Sequence, residues 1–226
     1  MKKNINFGNY LKKIKRRSFV CGLKSTKISS NEKRFLLKYK PWGIILFSRN
    51  IKNINQTRML TDSIKTLFKD KNYPVLIDEE GGRVSRIRKI FNTSLFSAKF
   101  FGDLYTKNKS EFKVYLYSYV NQISYLLKLM GINMNTVPVL DLLIKNKSNI
   151  IGDRSYSRDP KIVSIIGDTV IELFHKNKII TVMKHIPGHG LAKVDSHFRL
   201  PKINKKVNYL EKNDFLAFKK KNHYYQ

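Results

Sequence analysis

The chain has 226 residues, 42% of them hydrophobic, enough for one domain with a core, and carries a formal net charge of +29. A single cysteine, Cys21, excludes an internal disulfide framework and fits a reducing compartment, and no apolar stretch reaches membrane-spanning length. Met1-Lys2-Lys3 is basic, but no apolar run with a small-residue cleavage site follows, so no signal peptide and a cytoplasmic setting are expected.

The charge invites a nucleic-acid reading, because Lys and Arg neutralise phosphates. The lysines, however, lie throughout the chain among many Asn and Ile residues, the mix that an AT-rich genome produces. Only 12–17 is a dense cluster, so a solvated basic surface is the expectation and nucleic-acid binding the alternative. Residues 1–17 read as a basic N-terminal extension, and 18–226 as the domain.

Short apolar β-type runs alternate with longer helical patterns, the form of βα units on a parallel sheet. The first run is 18–23. Ser29-Ser30-Asn31-Glu32 then reads as a capping box that opens a short helix through Phe35, Leu36 and Leu37. The second run is 43–47, followed by a helix with Met59, Leu60, Ile64, Leu67 and Phe68 at helical spacing. The third, 74–77, ends on Asp78-Glu79-Glu80-Gly81-Gly82; an irregular segment leads to a long helix over 110–130, closed by Gly131. The fourth run, 136–140, ends at Asp141. After a Gly152-Asp153-Arg154 loop, Asp159-Pro160 caps a helix that reaches Lys176. The fifth run is 179–183, and one more helix is expected over 208–220.

Short, fully apolar strands separated by helices suit a sheet buried on both faces. The chemistry-bearing residues follow the strands, where a (β/α) barrel carries its active site. Asp78 with Arg83, Arg86 and Arg88 beyond a Gly-Gly turn can bind sugar hydroxyls and carbonyls, or can be no more than a charged turn. Lys184 and His185 end a strand, so their side chains should alternate in direction. Asp195-Ser196-His197 places a carboxylate beside an imidazole, which fixes the ring tautomer for proton transfer. Zinc on His185, His189 and Asp195 or His197 is a rival, weakened because Pro187 and Gly188 forbid the helical geometry of an i, i+4 pair. A nucleophilic Ser196 is weaker still, with no nucleophile-elbow pattern.

Four segments in order, IDEEGGRVSR, TVPVLDL, IGDRSYSRDP and KHIPGHG followed by DSH, resemble the bacterial β-N-acetylglucosaminidases of glycoside hydrolase family three, cytosolic enzymes of cell-wall recycling. GIILFSRN fits the same pattern, and the resemblance runs from about residue 18 to 218. It implies an α/β fold of (β/α)8 TIM-barrel type, here incomplete, with about five of the eight units. The implied reaction releases a terminal non-reducing N-acetylglucosamine from peptidoglycan fragments with retention. Sugar-binding roles fall on Asp78, Arg86, Arg154, Lys184 and His185. His197 would be the general acid/base, oriented by Asp195. No metal and no organic cofactor is implied.

The sequence also departs from that pattern. The family nucleophile is an aspartate in a Ser-Asp-Asp type motif on a later strand, and residues 198–226 hold no such motif. Asp214 falls on a predicted helix and is no substitute. The chain therefore reads as a barrel truncated before its nucleophile and inactive alone. Its alternatives are a non-catalytic sugar-binding remnant, a basic nucleic-acid-binding protein, and a half-barrel closed by a complementing C-terminal chain.

Overall fold

The computed structural model describes residues 16–144 and 150–219. Most of the predicted basic extension, 1–15, and the tail 220–226 lie outside the described residues. Five strands, β1 (Arg17–Gly22), β2 (Pro41–Leu46), β3 (Val75–Ile77), β4 (Met134–Asn135) and β5 (Ile180–Thr181), pair in parallel in the order β1-β2-β3-β4-β5. A doubly wound sheet reverses its strand order at a switch point, whereas an unreversed parallel order is that of a (β/α)-barrel wall.

The crossovers carry α1 (Ser30–Tyr39), α2 (Ile54–Leu67), α3 (Ala98–Lys107), α4 (Lys109–Leu129) and α5 (Pro160–Lys176); α6 (Val207–Lys212) and α7 (Leu216–Lys219) follow β5. Helix starts follow their local chemistry. Ser29 accepts from the Glu32 backbone N–H while Glu32 returns a bond to the Ser29 N–H, which completes the predicted capping box. Asp159 caps α5 with Pro160 in the first turn. Gly131, at φ +73, ends α4 as predicted, with its N–H bonded to the Lys128 carbonyl.

The core lies between the sheet and these helices. Ile44, Leu46, Val75 and Ile77 from the strands meet Ile64 of α2, Ile123 and Leu127 of α4, and Val163 and Ile166 of α5. Burying each such side chain stabilises the fold by about 1.5–3 kcal/mol. Met59 of α2 faces solvent, unlike its predicted companions Leu60 and Ile64. Its position on the helix lies off the apolar stripe that the other two define.

Several boundaries differ from the sequence reading. β1 begins inside the predicted extension, and Arg16 before it pairs with Asp70 and lies over the Tyr73 ring. The segment read as irregular before the long helix contains α3, capped by Ser97, whose hydroxyl accepts from the Phe100 N–H. β4 ends at Asn135, so the predicted run over 136–140 lies beyond it. Pro138 has no N–H to contribute to a ladder, and only Val139 bridges onward, to Lys184. The expected single helix over 208–220 is broken into α6 and α7, and Asp214 sits buried in the break.

Candidate active site

Three neighbouring strands deliver polar groups at their C-terminal ends. β3 runs into Asp78-Glu79-Glu80, β4 is followed by Thr136 and Asp141, and β5 by Lys184 and His185. The turn after Glu80 needs its glycines. Gly81 has φ +85, and a Cβ there would lie 2.2 Å from the Phe96 carbonyl oxygen. Arg83 and Arg88 hold the surrounding loops. Arg83 pairs with Asp153 at 2.8 Å, and Arg88 donates to the Gly82 carbonyl at 2.8 Å.

Arg86 Nη2 lies 3.4 Å from Asp78 Oδ2, and Lys184 Nζ donates to Asp78 Oδ1 at 3.0 Å. The Thr136 hydroxyl also donates to Asp78, and Lys184 reaches Thr136 Oγ1 at 2.9 Å. Lys184 Nζ is 2.6 Å from Glu80 Oε1 as well. Glu80 in turn takes a two-pronged grip from Arg154, at 2.7 Å to Nε and 2.9 Å to Nη2. Arg154 Nη2 lies 3.3 Å from His185 Nε2, and His185 Nδ1 lies 2.5 Å from Asp141 Oδ2. Arginine can only donate, so Nε2 is the acceptor and the ring proton sits on Nδ1, facing Asp141. Asp141 Oδ1 also accepts from the His189 backbone N–H at 2.6 Å.

All five sugar-binding candidates thus fall into one network. The alternation expected of Lys184 and His185 does not hold, because the regular strand ends at Thr181 and both side chains enter the cluster. Electrostatics follow the contacts. Burial alone would raise the Asp78 carboxyl, but the Lys184 charge, the Thr136 hydroxyl and Arg86 outweigh it and hold it at about 2. Burial likewise opposes ionisation of Glu80, and Arg154 and Lys184 overcome it, so its pKa is lowered. Three carboxylates, Asp78, Glu80 and Asp141, thus meet three cations, Arg86, Arg154 and Lys184, and the His185 ring.

Asp195 and His197 form the expected pair, with Nδ1 to Oδ1 at 2.6 Å and the His197 N–H bonded to the same oxygen at 2.9 Å. The His197 backbone and ring hydrogen bonds lower the Asp195 pKa. The imidazole is 84% exposed, and no hydrogen bond or ion pair joins this pair to the five-residue network among the described residues. Asp214 is 3% exposed and outside that network, packed against Gly188 of the histidine loop. Among the described residues no group of three or more His, Cys, Asp or Glu side chains is arranged to hold a metal ion.

Sequence reasoning missed Glu80, Thr136 and Asp141 as working members of the site. Their signal was position, since Glu80 and Thr136 lie within three residues of a strand's C-terminal end and Asp141 in the segment after β4, yet polar residues there are also common in plain turns. Among the described residues no helix is long and apolar enough to cross a membrane.

A parallel, unreversed sheet with a charged network at its C-terminal edge defines a barrel-type α/β domain. The chain belongs to glycosyl hydrolase family 3: the family described as "Glycosyl hydrolase family 3 N terminal domain" matches residues 11–221. A beta-hexosaminidase of Alkalilimnicola ehrlichii is 33% identical over 203 residues, 89% of this chain and 57% of the relative. The crystal structure of native NagZ from Neisseria gonorrhoeae superposes with a TM-score of 0.81 at 31% identity, over 90% of this chain and 59% of that one. The same protein in complex with N-trifluoroacetyl-D-glucosamine gives a TM-score of 0.80 at 30% identity, with the same coverage. The chain spans about half the length of the curated relatives it matches.

Proposed function

We propose that this domain is the sugar-binding and proton-transfer part of a retaining β-N-acetylhexosaminidase that acts on terminal N-acetylglucosamine of peptidoglycan fragments in the cytoplasm. The observation that carries the reading is the convergence of Asp78, Arg86, Arg154, Lys184 and His185 on one half-buried network. Carboxylate and guanidinium edges there suit the hydroxyls and the acetamido carbonyl of such a sugar. A solved relative is described in complex with N-trifluoroacetyl-D-glucosamine, which supports the sugar class.

His197, oriented by Asp195, protonates the glycosidic oxygen and later takes a proton from water. Its exposed position makes this a group that reaches its substrate from the loop after β5. The nucleophile of a retaining reaction is a carboxylate aligned with the anomeric carbon. Asp214 is not assigned this role, because it is buried against Gly188 and makes no hydrogen bond to the five-residue network among the described residues. The described residues supply sugar binding and proton transfer in this reading.

Calorimetry of the 226-residue chain with N-acetylglucosamine tests this, beside a chromogenic N-acetylglucosaminide assay. Binding weakened about tenfold or more by Arg154→Ala, with no chromophore released, is the expected result. Absence of binding overturns the sugar reading. Turnover overturns the reading that no described carboxylate serves as nucleophile.

A further inference from the structure

Glu79 is the middle residue of Asp78-Glu79-Glu80, and it points away from the network its two neighbours build. Its side chain is buried, 1% exposed, and accepts four hydrogen bonds. Oε2 takes the Arg86 backbone N–H at 2.7 Å, the Ser85 hydroxyl at 3.0 Å and the Ile87 N–H at 3.2 Å. Oε1 takes the Thr93 hydroxyl at 3.1 Å. Its main chain is fixed as well: the Asn135 amide of β4 accepts from the Glu79 N–H at 3.0 Å and donates to the Glu79 carbonyl at 2.9 Å.

A buried carboxyl that returns along the chain to bond residues 85–87 closes the loop after β3 onto the strand end. Arg86 is the residue whose N–H makes the shortest of these bonds, and its guanidinium is the group that meets Asp78. The Arg86 guanidinium also lies over the Phe47 ring, 5.5 Å from its centroid, while its Nε is buried without a hydrogen-bond partner. Its side chain therefore has few direct anchors, and the backbone bond to Glu79 sets where it starts. We propose that Glu79 is a positioning residue that sets sugar affinity through Arg86, without touching the sugar.

The role depends on acceptors in the right places rather than on charge. A glutamine at 79 keeps one oxygen for the three donors at Oε2 and turns an N–H2 toward the Thr93 oxygen, which can accept. Alanine leaves the Arg86 and Ile87 N–H groups and two hydroxyls without an acceptor. Hence the conservative variant restores function and the truncating one does not.

The inference rests on the sugar-binding reading, and two measurements separate their fates. First, titration of N-acetylglucosamine is expected to show Glu79→Ala weakened about tenfold, Glu79→Gln restored to within about threefold, and Glu79→Ala/Arg86→Ala no weaker than Arg86→Ala alone. Independent, multiplying effects overturn the proposal, as does unchanged affinity in Glu79→Ala. Second, amide hydrogen exchange without ligand is expected to speed up at Arg86 and Ile87 by about tenfold or more in Glu79→Ala and to recover in Glu79→Gln, with Val75–Ile77 unaffected. If the parent chain binds no sugar, the function falls, and unchanged exchange at Arg86 and Ile87 then also sinks the inference. If Glu79→Ala fails to fold, Thr93→Val removes the Oε1 contact alone. A weakening of about twofold to fourfold supports the proposal there, and parent-like affinity and exchange overturn it.

Discussion

Replacing Lys184 by methionine keeps most of the side chain's apolar length and removes an ammonium that touches both Asp78 and Glu80. Asp78 stands at about 2 against an ordinary value of 3.8. That lowering corresponds to about 2 kcal/mol at pH 7. Lys184 is the largest of the influences that lower it, and Glu80 is lowered partly by the same charge. Lys184→Met is therefore expected to cost about 2–3 kcal/mol at pH 7. The sign of the pH dependence comes from a depressed carboxylate. The stability is present above the unfolded value near 3.8 and is lost as pH falls through the folded value of about 2. At pH 3 the deficit of the variant should shrink to about half. Urea unfolding at pH 7, 5 and 3 and fixed ionic strength measures it. With a formal net charge of +29, loss of a cation relieves general repulsion, so a fall in stability reports the local network. An equal deficit at pH 7 and pH 3 would refute the electrostatic account and leave packing as the cause.

Gly102 in α3 tests the fit of the loop that carries Arg154. A Cβ at that position would lie 1.6 Å from the Tyr156 carbonyl oxygen. Alanine gains about 1 kcal/mol of helix propensity, but overpacking costs about 1–3 kcal/mol or more. A net loss of about 1–2 kcal/mol is expected for Gly102→Ala in urea unfolding, and a variant as stable as the parent contradicts the close approach. His197→Ala should leave stability within about 0.5 kcal/mol, since its side chain is 84% exposed. A larger fall in the same assay would show that the imidazole is held in the fold.

Local chemistry was readable where a few adjacent residues decide the outcome. Ser29 with Glu32, Asp159 with Pro160, and Gly131 after the long helix each set an element end that sequence reading located. Helix α3 was missed because Gly102 lowers its helical signal, although Ser97 marks its start. The apolar run at 136–140 looked like a strand because composition does not register which carbonyl faces which N–H. The strand itself ends two residues before Val137, and beyond it only the isolated bridge from Val139 to Lys184 continues the pairing. The helix expected over 208–220 is broken where Asp214 is buried so close to the histidine loop that a Cβ on Gly188 would lie 2.8 Å from its Cβ, a long-range contact no local pattern shows.

The order of apolar runs and turn residues determined a parallel α/β chain, its likeness to a family, and a set of polar residues at strand ends. Those features are local and repeat along the chain, so one sequence suffices to see them. Only the tertiary structure decided that Lys184 lies between Asp78 and Glu80, 106 positions from the former. The same holds for Arg154, which holds Glu80 and His185 together, and for Glu79, which turns inward to hold the Arg86 loop. Contacts between carboxylates and cations so far apart in the chain depend on strand register and burial. Those are set by how the whole sheet packs, and no local pattern encodes them.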